Sequence, residues 1–203
     1  NLKGVFQATL ALHKQATDLD FVAGVNHLIL HGYNYSPPEA GFPGWMRFGT
    51  YYSDQNTWWD HFPQWSQFTA RVSAVLQKAT PVAHIGLLSP IEDTWAQYGL
   101  SRDEYNYNPW YLHAIWQAFN HNGCQADYLS PAVVAESSAH NQMLTYNGVD
   151  FAALIVCSAQ YVRSDVATKL QELADQGVTI IFLDGLPQKT IDGKNQPQTK
   201  IFS

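Results

Sequence analysis

The sequence predicts an α/β fold organised around a doubly wound parallel sheet, and three observations carry that expectation. Mostly apolar runs of strand length recur at Val82–Leu88, Phe151–Cys157 and Val178–Leu183, and Ala126–Leu129 reads as a further short strand. Amphipathic stretches of helix length lie between them, one after Asn108-Pro109 and one from Ser164 to Gly177. The run Phe151–Cys157 is continuously apolar, the pattern of strands covered on both faces, and Val178–Leu183 is expected to be the next buried strand. Strands alternating with helices favour a parallel sheet joined by helical crossovers.

The elements follow in order. Leu2–Phe21 reads as a helix, with Phe6, Leu10, His13 and Ala16 near helical spacing. Gly24 opens a short, mostly buried strand, Val25–His31. Gly32 to Gln55 then form a long loop rich in Gly, Pro, Tyr and Trp, and ordered loops of that length are usually functional or bridge domains. Asn56 is placed as the N-cap of the next helix, with Pro63 early in it. Trp65, Phe68, Val72, Val75, Leu76 and Ala79 mark its apolar face. Pro81 begins a different rhythm: the strand Val82–Leu88, then Ser89-Pro90 and a turn whose Glu92 and Asp93 are expected to be solvated. Asn108 caps a helix with Pro109 in its first turn and Leu112, Ile115, Trp116 and Phe119 on its apolar face, and Gly123 ends it. Ser164 caps a helix carrying Val166, Leu170, Leu173 and Ala174, closed by Gly177. The boundary falls between residues 1–80 and 81–203. A helix, a strand and a helix are too few to close a core, and Ile201-Phe202-Ser203 stops in what reads as a continuing strand. The chain is therefore expected to be a fragment.

Composition excludes several function classes. The formal charge of -6, with no basic cluster interleaved with aromatics, argues against a nucleic-acid binder. No run is long and apolar enough to span a membrane, and no signal-peptide pattern opens the chain. The two cysteines, Cys124 and Cys157, lack the paired spacing of a zinc site, so no metal site is expected. Aromatic residues make up 14% of the chain, as many as all charged residues together, which suits stacking on sugars as well as a packed core.

The segment His31-Gly32-Tyr33-Asn34-Tyr35-Ser36-Pro37 carries the densest chemistry. It follows the run Val25–Leu30, and the carboxyl end of a parallel strand is where α/β folds bind ligands. His31 there can hydrogen-bond a sugar hydroxyl or steady a carboxylate from another strand; fixing the loop backbone explains it equally well. Tyr33 and Tyr35 can stack on a sugar or donate to it, against plain loop packing. Trp45, between flexible positions, can wall a pocket. Of Trp58-Trp59 at most one can face a ligand, because successive helical residues point apart, and core packing is the expected role.

These pieces, together with Gly24-Val25-Asn26-His27, Asn56-Thr57-Trp58-Trp59, the helix Trp65 to Gln77 and the run Pro81 to Pro90, resemble a bacterial glycoside hydrolase. The nearest resemblance is to the α-L-rhamnosidases of glycoside hydrolase family 106. It implies that residues 1–80 are the C-terminal end of a catalytic (β/α)8 barrel, with Val25–His31 its last strand. It implies that residues 81–203 are a truncated glutamine-amidotransferase-like α/β domain, as in β-galactosidases that trimerise through it. The implied partners are a carbohydrate substrate, the rest of the parent polypeptide and a further copy of the chain; no cofactor is implied. The implied location is the periplasm or outside the cell.

The chemistry is incomplete within these residues. Glycoside hydrolysis needs two carboxyl groups about 5–9.5 Å apart. Glu39 follows Pro37-Pro38 in a loop that nothing makes rigid, Asp54 has no evident partner, and Asp60 suits the first turn of a helix. The catalytic acid and base stay unassigned, and are expected upstream. Cys157 lacks the flanking glycines of a nucleophile elbow, and Ser89-Pro90-Ile91-Glu92 cannot form a phosphate loop. Two other readings remain: a non-catalytic oligomerisation module, and a flavodoxin-like ligand-binding domain with its ligand above Leu88 and Cys157.

Overall fold

The computed structural model describes residues 6–45, 50–98 and 109–191. The chain divides into two compact units, Asn1–Thr80 and Pro81–Ser203.

In the first unit, helix α1 spans Leu10–Val22, shorter than expected. Phe6 sits at φ 56°, outside helical space, and Thr9 caps the helix by accepting Leu12 N–H at 3.2 Å. The inward residues are His13 and Thr17; Ala16, expected on that face, is exposed. Val25–His31, expected as a mostly buried strand, is neither a strand nor buried: Ile29 is 86% exposed. Its physical reason is a lack of partners, because among the described residues no backbone group pairs with residues 27–30 in a ladder.

The long loop is more ordered than its composition suggests. It contains a 3-10 turn at Pro38–Ala40, and Tyr33 pairs with Tyr52 in a parallel β-bridge. A second 3-10 turn, Trp59–His61, leads into α2, Phe62–Leu76, with Pro63 in the first turn as the sequence indicates. Asn56 does not cap α2: it is buried six residues ahead of the helix, and its amide donates to the Tyr51 carbonyl at 3.1 Å. The buried ridge of α2 is Trp65, Thr69 and Ser73, a four-residue spacing, whereas Val75 is 68% exposed. Around His13 the rings of Tyr52, Trp58 and Trp65 meet edge-on at 5.3–6.0 Å. The Trp58 indole N–H donates to the Ala8 carbonyl at 2.7 Å, so this aromatic core also satisfies its polar edge.

The second unit is a layered α/β structure. Strands β1 (Ile85–Leu88), β2 (Ala126–Leu129), β6 (Ala153–Val156) and β8 (Thr179–Phe182) form a parallel sheet in the order β2-β1-β6-β8. Side chains alternate between its faces. Leu87, Ala126, Ile155 and Cys157 pack with α4 (Trp110–His121) through Leu112, Ile115, Trp116 and Phe119, the face expected from the sequence. Leu88, Leu154 and Val156 point to the other side, with Val134 of α5 (Pro131–Glu136) and Val166, Leu170 and Leu173 of α6 (Ser164–Asp175). Helices on both faces make the central strand β6 fully buried, which is why its sequence does not alternate.

Several details differ from expectation. Among the described residues Thr179–Phe182 lies at the sheet's edge with alternate residues exposed, so it is not a buried strand. Arg163 occupies the cap position of α6 and Ser164 is its first residue, while Ala167, not Ala174, completes the buried face. Pro109 itself is the cap residue of α4, and Asn108 lies outside the described residues. Unforeseen are α3 (Ile91–Tyr98), α5 and an antiparallel meander, β3 (Ser138–His140), β4 (Met143–Tyr146) and β5 (Val149–Phe151). Its tight turns are Asn141-Gln142, with φ of 50° and 61°, and Asn147-Gly148, with φ of 47° and 79°. Positive φ at both central residues is the mark of a type I′ hairpin, which Asn-Gly favours.

Candidate functional site

The His31–Pro37 turn is held at two points. Asn34 N–H donates to the Tyr52 carbonyl at 2.6 Å beside the Tyr33–Tyr52 bridge, which ties the turn to the aromatic core. Nine residues further on, the Trp45 N–H donates to the Ser36 hydroxyl at 2.8 Å. All four sequence-predicted binding residues are exposed: His31, Tyr33 at 54%, Tyr35 at 71% and Trp45 at 70%. Tyr33 rests against Trp59, with ring centroids 5.5 Å apart. The Ser36–Trp45 bond brings the backbone of Trp45 to the turn. The His31–Gly32 peptide bond is cis.

The acids near the turn are not gathered into a site. Glu39 lies exposed on the 3-10 turn Pro38–Ala40, Asp54 is exposed, and Asp60 is exposed on Trp59–His61. Among the described residues no group of three His, Cys, Asp or Glu side chains is placed to hold a metal ion. Burial pushes the Tyr52 hydroxyl above its ordinary pKa, which a hydrogen bond with Thr50 partly offsets. It stays a neutral phenol across the physiological range.

A cavity of about 440 Å³ opens in this unit, walled by Leu12, His13, Thr17, Leu28, Tyr52 and Trp65 among others. None of His31, Tyr33, Tyr35 or Trp45 lines it. The ring of His13 contacts the Thr9 carbonyl through Nδ1 at 2.6 Å, leaving Nε2 buried and unbonded, like the indole nitrogen of Trp65.

In the second unit the loops at the carboxyl edge of the sheet are tied to each other. Asp93, expected to be solvated, accepts the N–H groups of Gln160 and Tyr161 at 2.9–3.1 Å. The Ser158 hydroxyl donates to the Asp184 carboxylate at 2.5 Å. Glu92, also expected in a solvated turn, is 2% exposed, with Oε1 unbonded. Both corrections have one cause: α3 starts at Ile91, so the two acids enter a helix packed on β7 (Tyr161–Val162), not a free turn.

Burial raises the Glu92 pKa above its ordinary 4.5, outweighing the attraction of Arg163, with Asp93 and Asp165 pushing the same way as burial. The folded state therefore keeps a proton that the unfolded chain releases. Glu92's contribution to stability is fully present below the ordinary glutamate pKa and is lost as pH rises through the raised folded value. Glu92→Gln is expected to flatten that loss. Denaturation measured at intervals from pH 4.5 to 7 checks this, and parallel curves for the two proteins would contradict it.

Burial also pushes the Cys157 thiol up to about 11, so it is not an activated nucleophile. Cys124 is exposed. A thiol reagent at pH 8 is expected to modify Cys124 at once and Cys157 only after denaturation; prompt reaction at Cys157 would refute its burial.

The sequence matches the family model of glycoside hydrolase family 106, described as alpha-L-rhamnosidase, over residues 4–196. No curated protein matches it. Among solved structures, the β-galactosidase from Bifidobacterium adolescentis is similar at 14% identity with a TM-score of 0.38. That likeness spans 55% of this chain and 46% of the other, so this chain accounts for less than half of that structure's length. The family model covers nearly the whole chain, from the turn of exposed aromatics to the parallel sheet. The chain belongs to the glycoside hydrolase family 106 α-L-rhamnosidases.

Proposed function

We propose that this chain forms the last part of a catalytic (β/α)8 barrel and the amidotransferase-like domain that follows it, in an enzyme that hydrolyses a rhamnoside. His31, Tyr33, Tyr35 and Trp45 hold the carbohydrate, while the general acid and base come from barrel strands outside these residues. One observation carries the binding role: a turn anchored to a buried aromatic core presents the rings of Tyr33 and Tyr35 to solvent, with the exposed Trp45 tied to it through Ser36. Exposed rings on a fixed backbone suit stacking on sugar faces, because little side-chain freedom is lost on binding. The segment 25–30, which among the described residues joins no strand ladder, supports the barrel reading, since it has the apolar composition of a barrel strand.

The second unit is structural, or joins copies of the chain, on this reading. In chain order its parallel strands lie 2-1-3-4, as in flavodoxin-like sheets, where a ligand would sit between β1 and β6. At that point α3 begins with two acids, and Asp93 is occupied by two backbone N–H groups. Those N–H groups are thereby spent on Asp93 and not left to an anionic cofactor. The enzyme acts in the periplasm or outside the cell, where polysaccharide is met.

The test is hydrolysis of aryl α-L-rhamnosides and aryl galactosides by the full-length protein and by residues 1–203 alone. Rhamnoside cleavage by the full-length protein and none by the chain alone is the expected result. Cleavage by the chain alone would place the acid and base within it and overturn the division of labour.

A further inference from the structure

Trp58 and Trp59 are neighbours in sequence with different surroundings. Trp58 is buried and its indole N–H is satisfied by Ala8. Trp59 is half-buried, and among the described residues its indole N–H has no hydrogen-bond partner. Its ring stacks on Phe62 at 5.1 Å and 8°, and Phe62 in turn lies 5.4 Å from Trp65 in the core. Tyr33, from the turn, meets Trp59 at 57°. The two rings thus make a corner, one wall from the turn and one from the 3-10 turn ahead of α2, backed by the aromatic core.

We infer that Trp59 is a further binding residue: with Tyr33 it takes the C–H face of a pyranose ring, and its indole N–H donates to one of that sugar's hydroxyls. The stack on Phe62 fixes the indole, so the corner exists before ligand arrives and costs little ordering on binding. Trp65 is buried with its indole nitrogen unbonded, whereas Trp59 is only half-buried and keeps part of its ring at the surface. The inference rests on the sugar-site reading of the turn, and the experiment separates the two.

The measurement is KM of the full-length protein for an aryl α-L-rhamnoside, with the inhibition constant of L-rhamnose, in Trp59→Phe, Trp59→Ala and Tyr33→Ala. Trp59→Phe keeps a stacked ring and removes only the donor, and is expected to raise both constants about fivefold. Trp59→Ala is expected to raise them further, to about thirtyfold, and Tyr33→Ala about fivefold. L-rhamnose should change the tryptophan emission of the native protein, and change it less in Trp59→Phe, where Trp45 remains as a reporter. If Tyr33→Ala weakens binding while both Trp59 variants match the native protein, Trp59 is packing alone and the inference falls. If no rhamnoside is cleaved, or Tyr33→Ala also leaves the constants unchanged, the sugar-site reading falls and takes the inference with it.

Discussion

Leu154→Ala is expected to destabilise the second unit by about 3–5 kcal/mol. Leu154 has no exposed surface and lies in β6, hydrogen-bonded between β1 and β8. Its side chain faces the cluster that includes Val134, Val166 and Leu170. Truncation there removes apolar burial and leaves a cavity between sheet and helices that strands paired on both sides cannot close. Denaturant unfolding followed by circular dichroism should show a lower midpoint with little change in slope. A loss under about 1 kcal/mol would mean that the sheet and α5–α6 are not packed as described.

Trp58→Ala is expected to cost the first unit about 3–5 kcal/mol. The indole is 8% exposed, contacts the rings of His13, Tyr52 and Phe62 at 5.3–6.0 Å, and bonds the Ala8 carbonyl. Removal leaves a void among rings and an unbonded carbonyl; Trp58→Phe refills part of the void but not the bond. The order of stability should be native, then phenylalanine, then alanine, read from thermal melts. Equal melts for the native protein and Trp58→Phe would mean that the Ala8 bond contributes nothing beyond packing, and equal melts for the two variants that the ring is not packed as described.

Much of the sheet was legible because its physics is local. The short segment Ala126–Leu129 and the apolar core of Phe151–Cys157 form strands, and Leu112, Ile115, Trp116 and Phe119 face the sheet. The meander was missed although Asn147-Gly148 is a strong hairpin signal, because the strands beside it are only three or four residues long. Val178–Leu183 looked buried because apolar content does not reveal a strand's place in the sheet, which only the pairing order decides. Val25–His31 shows the opposite limit: its apolar pattern is strand-like, but a strand needs a neighbour. In the candidate site, the turn from His31 to Pro37 stands out in sequence by composition alone. Its anchoring at Tyr52 and the separation of Trp58 from Trp59 depend on contacts between distant segments, which spacing does not encode.

The central claim is that the exposed rings beside this turn hold the carbohydrate. Tyr35→Ala and Trp45→Ala test it most directly, because each ring is at least 70% exposed and its removal should leave the fold intact. In the full-length protein each variant is expected to lower kcat/KM for an aryl α-L-rhamnoside about three- to tenfold through KM, with melting temperature unchanged. Native kcat/KM in both variants would contradict the claim.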